Sequence, residues 1–198
     1  MPDPDPSQLP SFSLGNRLAR FVWGIVYVLL FRWSPRPLHA WRNFLLRLFG
    51  ATIGPGSHIY PTARIWAPWQ LHCEDHIAIG DDAIIYNPAG LTIGSHAIVS
   101  QYAYLCGATH DYEDPMFPLI SFPTTLGAYS WVCARSTVMP NVNLGEGAIL
   151  ALGSVATRDL KPWTIYAGVP AKPVKARIFR PGKQQPAPTA DSAGSKIK

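Results

Sequence analysis

Residues 126–155 read LGAYSW VCARST VMPNVN LGEGAI LALGSV, five consecutive hexads that each open on Leu or Val and carry Ser, Val or Ala in fifth place. Reading outward from that block, the same frame recurs as IGPGSH IYPTAR IWAPWQ LHCEDH from Ile53, IGDDAI IYNPAG from Ile79 and IGSHAI VSQYAY LCGATH from Ile93. All fourteen units open on Ile, Leu or Val, and twelve have Ala, Ser, Thr or Val in fifth place, Trp69 and Asp75 being the exceptions. Six is neither the period of a helix nor that of an alternating strand. It is the period of a solenoid in which each unit is one short strand plus a corner, with the aliphatic residue inside the column and the small one inside the turn. Glycine in second place (Gly54, Gly80, Gly94, Gly127, Gly145) is expected to relax the backbone at the bend. A β-sandwich of short strands would show turn signals roughly every 8 to 12 residues and no fixed phase of six, and is excluded.

The frame breaks three times. Two extra residues enter at Ile77-Ala78 and two at Leu91-Thr92, and residues 111–125, DYEDPMFPLISFPTT, interrupt it directly after His110 before it resumes at Leu126. A loop of that length on a rigid column points to function. Upstream, Ser34-Pro35 looks like an N-cap with proline in the first turn of a helix that runs to Gly50, and Arg17 to Trp33 reads as a second helix. The expected organisation is a helical arm over residues 1–50, an all-β solenoid over 51–160 and a closing segment over 161–180. Residues 181–198 have no apolar period and are expected to be disordered.

A chain of 198 residues with 47% hydrophobic content suffices for one core. The net charge of +5 is unevenly spread: residues 17–47 hold six arginines and no acid, residues 48–157 hold two arginines against eight acids, and nine bases follow from Arg158. The acidic middle argues against a nucleic-acid partner, which needs a basic face on the folded body. Three cysteines without a CxxC pair suit a reducing, cytoplasmic compartment. The apolar run Phe21–Phe31 has eleven residues, about 17 Å as a helix against a hydrocarbon core of roughly 30 Å, so it is a poor span. It also starts late for an export signal. The arm, residues 17–49, either packs on the solenoid or its oligomer mate, or lies on a membrane face with its arginines among anionic headgroups.

The block from Ser121, SFPTTLGAYSWVCARSTVMPNVNLGEGAILALGSVATRDLKPWTIYAGVPAKPVKARI, resembles the catalytic half of the maltose and galactoside O-acetyltransferases. The segment SPRPLHAWRNFLLRLFGATIG is similar, more particularly, to the colanic-acid-type acetyltransferases of exopolysaccharide synthesis. The resemblance covers about residues 14–180. It implies a left-handed parallel β-helix, a handedness the period alone does not give, assembled as a homotrimer with active sites between neighbouring subunits. It also implies an acetyl-CoA-dependent transfer to a hydroxyl of a carbohydrate.

A sugar hydroxyl attacks a thioester at neutral pH only as it loses its proton, and histidine is the base suited to that range. Of His39, His58, His72, His76, His96 and His110, only His110 closes a hexad and opens the inserted loop, and it aligns with the family's catalytic histidine. Asn87 resembles the family's asparagine near the acetyl group, with different local spacing; an ordinary corner asparagine is the alternative. For the donor, Trp131, Leu152, Thr157, Arg158, Lys172 and Lys175 match the family's cofactor positions. Ala134 stands where the family has a contacting serine, and Cys133 replaces the preceding glycine. Lysine in place of arginine keeps the charge for phosphate but loses the bidentate fork. Two other functions use such repeats: a trimeric scaffold without catalysis, and the γ-type carbonic anhydrases, whose zinc needs three histidines. His72 and His76 share one imperfect coil, and no metal set is expected.

Overall fold

In the computed structural model, which describes residues 12–178, the hexads wind into a three-sided parallel β-solenoid. Segment 181–198 and its expected disorder lie outside the described residues. The first face stacks Thr52–Ile53, Leu71–Cys73, Leu91–Ile93 and Thr124–Leu126, and single bridges continue it through Leu144 and Leu160. The second face stacks strands from His58–Ile59 through Trp131–Val132 to Thr164–Gly168, and Ala171–Ala176 folds back antiparallel to close it. The third runs from Arg64–Ile65 through Tyr104–Cys106 to Val155–Ala156. All fourteen hexad-opening residues are buried. Each fully buried aliphatic side chain contributes about 1.5–3 kcal/mol, so this column is the main source of stability.

Three details differ from the sequence reading. The glycines in second place do not carry the bend: the left-handed backbone falls two residues later, at Gly56, Asp82, His96, Tyr129 and Gly147, and His76 takes the same place in its own unit, two after Glu74. Glycine is needed in second place because the next coil passes too close, and a Cβ on Gly127 would stand 2.5 Å from the Glu146 nitrogen. At those left-handed corners the rings of His76, His96 and Tyr129 stack coil upon coil at 5.1 and 4.8 Å between centroids, a contact that offsets the strain of a side chain at positive φ.

The unit written from Leu71 is out of frame. Cys73 pairs with Ile53 and Ile93, so Cys73 opens the hexad, Ile77 fills its small-residue place, and the two extra residues are Leu71-His72. Leu71 and Cys73 are both buried, one on each side of outward-facing His72, which is why the sequence favoured the wrong one. The excess residues at Leu71-His72 and Leu91-Thr92 therefore lie at one corner, between the third and first faces, and the 111–125 insertion lies there too. Most of that insertion is a hairpin, Ala108–His110 antiparallel to Leu119–Ser121, and Thr124-Thr125 already belong to the first face.

The arm is helical, but its second helix starts late. Helix α1, Leu14–Val26, is capped by Ser13, whose Oγ accepts from the Asn16 N–H, and it runs on as a wider π-turn over Tyr27–Phe31. Helix α2 is His39–Leu48, not a helix from Pro35. Arg36 stands before Pro37, which disfavours helical backbone at that position, so the chain turns once more first. Ser34 closes the preceding turn instead, donating to the Phe31 carbonyl. Across the open end of the first coil, α2 lays three polar side chains on backbone carbonyls that have no coil below them: Arg42 and Arg47 donate to Ile59 and Ile53, and Asn43 to Ser57. Leu45 and Leu46 bury beside them. This is an edge cap that satisfies the exposed ladder.

Candidate active site

His110 ends the first strand of the corner hairpin and is exposed. Its Nδ1 lies 2.6 Å from the Phe117 carbonyl oxygen. A carbonyl only accepts, so Nδ1 is the nitrogen that donates, which leaves Nε2 as the ring position open to accept a proton. The hairpin fixes this geometry. Phe117 sits at φ +45°, its N–H donating to the Asp114 carbonyl, and the Asp114 carboxylate accepts from the Met116 N–H. Gly107 makes the approach possible: a Cβ there would stand 2.6 Å from the Tyr86 carbonyl oxygen of the coil below.

Asn87 does not join His110. It is buried in the same corner one coil lower, where its amide nitrogen donates to the Ala67 carbonyl and its amide oxygen accepts from the Ala67 N–H. Both ends of the amide serve the ladder between coils, and 2% exposure leaves no surface for a reacting group.

The residues matched to the donor spread over the surface of one chain. Trp131 stands in the outward row of the second face, and the register Trp131, Ile149, Ile165, Lys175 carries that row to the closing strand. Three strand spacings make about 14 Å. Its indole N–H donates to Ser100 Oγ. Ala134 and exposed Leu152 stack on successive coils at the corner between the second and third faces, where the Gly153 N–H donates to the Ala134 carbonyl. Thr157 and Arg158 stand at the corner between the third and first faces, on the far side of the third face. Lys172 is opposite Ala167 on the closing strand. The only ion pair among the described residues is Arg36 with Asp81, so Arg158, Lys172 and Lys175 have no carboxylate partner among them.

One feature escaped the sequence. Between α1 and the third face is a cavity of about 540 Å³ lined by Arg20, Trp66, Tyr86 and Tyr104, among others. Arg20 lies over Trp66 at 4.5 Å, and Trp66 meets Tyr86 edge-on at 5.4 Å. Burial, and then Cys106 beside it, push the Tyr104 phenol up to about 12, so it stays a neutral donor. Tyr104 opens the strand Tyr104–Cys106, and the chain reaches His110 six residues on, across Gly107 and the hairpin strand Ala108–His110, which sets the cavity wall within about 20 Å of the imidazole. Tyrosines in outward places of the hexads starting at Ile85 and Val99 were the available signal. Among the described residues no cluster of three or more His, Cys, Asp or Glu could hold a metal.

No family model matches the chain. The putative colanic acid biosynthesis acetyltransferase WcaF of Escherichia coli (strain K12) is 35% identical over 167 residues, which are 84% of this chain and 92% of that protein. Among solved structures, a hexapeptide-repeat acetyltransferase from Vibrio cholerae complexed with acetyl coenzyme A superposes with a TM-score of 0.78 at 20% identity, covering 87% of this chain and 94% of that one. A galactoside acetyltransferase in complex with coenzyme A gives 0.76 at 21% identity, covering 85% of each. Both share the hexapeptide-repeat fold with this chain, the left-handed parallel β-helix.

Proposed function

The chain belongs to the hexapeptide-repeat acetyltransferase family of the putative colanic acid biosynthesis acetyltransferase WcaF, and from that membership we propose that it transfers the acetyl group of acetyl-CoA to a hydroxyl of a sugar or exopolysaccharide intermediate, with His110 as general base. The observation that carries the reading is the tautomer. Phe117 holds the proton on Nδ1, so Nε2 accepts the acceptor's hydroxyl proton as its oxygen bonds to the acetyl carbonyl carbon, and returns it to the departing thiolate of CoA. The carbonyl at Nδ1 also stabilises the imidazolium between the two transfers. Asn87 is given no part in this step.

Acetyl-CoA would lie against Trp131, Ala134, Leu152, Thr157 and Arg158, its phosphates near Lys172 and Lys175. These groups lie on the second face and at two corners of one prism, which supports a homotrimer in which a groove between subunits joins one chain's second face to the neighbour's other corner. The aromatic cavity under α1 suits the acceptor: Trp66 and Tyr86 offer faces and edges to a sugar ring, and Arg20 and Tyr104 offer hydrogen bonds. We place the reaction in the cytoplasm, where acetyl-CoA is available and three free thiols remain reduced.

The test is thiol release from acetyl-CoA over a panel of sugars and nucleotide sugars. His110→Ala should lower turnover by roughly 10²-fold to 10⁴-fold with little change in CoA affinity; wild-type turnover in that variant ends the assignment. Mixing His110→Ala with a Lys172→Ala, Lys175→Ala variant should restore activity through hybrid sites. A fully active monomer by light scattering excludes the shared groove.

A further inference from the structure

The fold accounts for only one side of the arm. Along Leu14–Phe31 the side chains of Trp23, Tyr27 and Phe31 turn to the solenoid. On the opposite side Leu14, Leu18, Phe21, Ile25 and Val28, spaced by four, three, four and three, form a second apolar stripe that faces solvent, from Leu14 at 79% exposure to Ile25 at 45%. Helix α2 adds exposed Trp41, Phe44 and Leu48, and Trp41 ties the two together by donating its indole N–H to the Leu30 carbonyl. Trp33, 75% exposed, stands between the helices. A contiguous apolar surface of this extent on a soluble body marks an interaction site.

The charge pattern selects the occupant. Exposed Arg17 and Arg32 flank the stripe, and the arm from 17 to 47 contains no carboxylate. Two copies brought together through this side would set arginine against arginine with nothing to neutralise them, whereas an anionic bilayer supplies both the counter-charge and the apolar layer. The indoles of Trp33 and Trp41 suit the boundary depth between headgroup and acyl chain.

The helix cannot stand across the bilayer. Over 18 residues it is apolar enough to span, but the Trp23 indole N–H donates to the Ile65 carbonyl at 2.8 Å and the Tyr27 hydroxyl to the Thr62 carbonyl at 3.3 Å, which hold it lengthwise against the first coil. We propose that the outer side of α1, with Trp33 and the exposed side of α2, is a peripheral membrane-binding surface that takes an anionic bilayer with α1 in the interface plane. This holds whatever the acetyl acceptor is.

The experiment is flotation of the full chain with vesicles of phosphatidylcholine, with and without phosphatidylglycerol, at low and high salt. The wild type should float with the anionic vesicles, less so with phosphatidylcholine alone, and less at high salt. Phe21→Glu with Ile25→Glu should lower the partition coefficient by roughly tenfold or more, because each takes an apolar side chain away from the bilayer and adds an anion. Its melting temperature and its thiol release with a soluble acceptor should stay at wild-type values, since neither side chain reaches the solenoid or the cavity. If that pair does not fold, Leu14→Gln with Leu18→Gln makes the same measurement with a milder change. The proposal is overturned if the wild type stays in solution beside anionic vesicles, or if the variants float like the wild type. It is equally overturned if the variants dissociate a wild-type oligomer in light scattering while vesicle partition is unchanged, since the surface then belongs to a second copy.

Discussion

Asn87→Ala separates a ladder residue from a catalytic one. The substitution removes two hydrogen bonds and strands the N–H and C=O of Ala67, a residue with no exposed surface. A buried backbone group left without its partner costs about 1–3 kcal/mol, so the pair should cost about 4 kcal/mol. In a domain of this size each kcal/mol moves the melting temperature by about 2–4 °C, which puts the expected fall at about 8–16 °C. Asn87→Asp should not rescue it, because a carboxylate cannot donate to the Ala67 carbonyl. The assay is thermal unfolding by circular dichroism alongside turnover measured well below the transition, where the folded variant should retain most of its rate. If Asn87→Ala melts with the wild type while its turnover collapses, the ladder assignment is wrong and the amide acts on the reacting atoms.

Gly107→Ala forces the corner strand away from the Tyr86 carbonyl and displaces His110, so turnover should fall by at least roughly tenfold with the acetyl-CoA KM unchanged, read by steady-state kinetics. Lys172→Ala with Lys175→Ala should raise the acetyl-CoA KM roughly tenfold and weaken its salt dependence, by loss of charge-assisted contacts to phosphate; an acetyl thioester lacking the nucleotide should not distinguish this variant from the wild type. His39, packed between α2 and the first coil, has its pKa lowered, first by burial and then by Arg42 and His58 against a hydrogen bond to Ile59. The unfolded chain therefore takes up a proton near pH 6.5 that the folded one resists, so stability is complete above about that pH and declines as pH falls below it. Calorimetric melts across that window should show a shallower decline in His39→Asn than in the wild type; parallel curves refute the assignment.

The hexad column was legible because burial acts on every opening residue alike, and a missed count of two at Leu71 shifts one unit without disturbing the others. The error arose where Leu71 and Cys73 alternate inward on one three-residue strand, so that either fits the pattern. The start of α2 was misread because Ser34-Pro35 satisfies a local capping rule that Pro37 overrides two residues later. Asn87 shows a deeper limit. Its type and corner position suit a catalytic amide and a ladder amide equally, and only the Ala67 backbone beside it, twenty residues away in sequence, favours the second. The same holds for the cavity under α1: Arg20 and Trp66 meet because a helix that the hexad frame does not include lies along the third face. The proton on His110 Nδ1 was invisible for the same reason, being set by a carbonyl at the other side of the hairpin.

The cap that α2 places on the first coil sets an order for synthesis. The arm leaves the ribosome before any hexad, and its Arg42, Asn43 and Arg47 are then ready to grip the carbonyls of Ile53, Ser57 and Ile59 as soon as that coil emerges. Every later coil meets a finished edge of the right register directly beneath it, so each step of growth pairs a strand with one sixteen to thirty-three residues away, the longest where the hairpin intervenes, rather than one far along the chain. Translation in this protein runs in the direction in which the column is built, and the exposed edge at any moment is only the newest one.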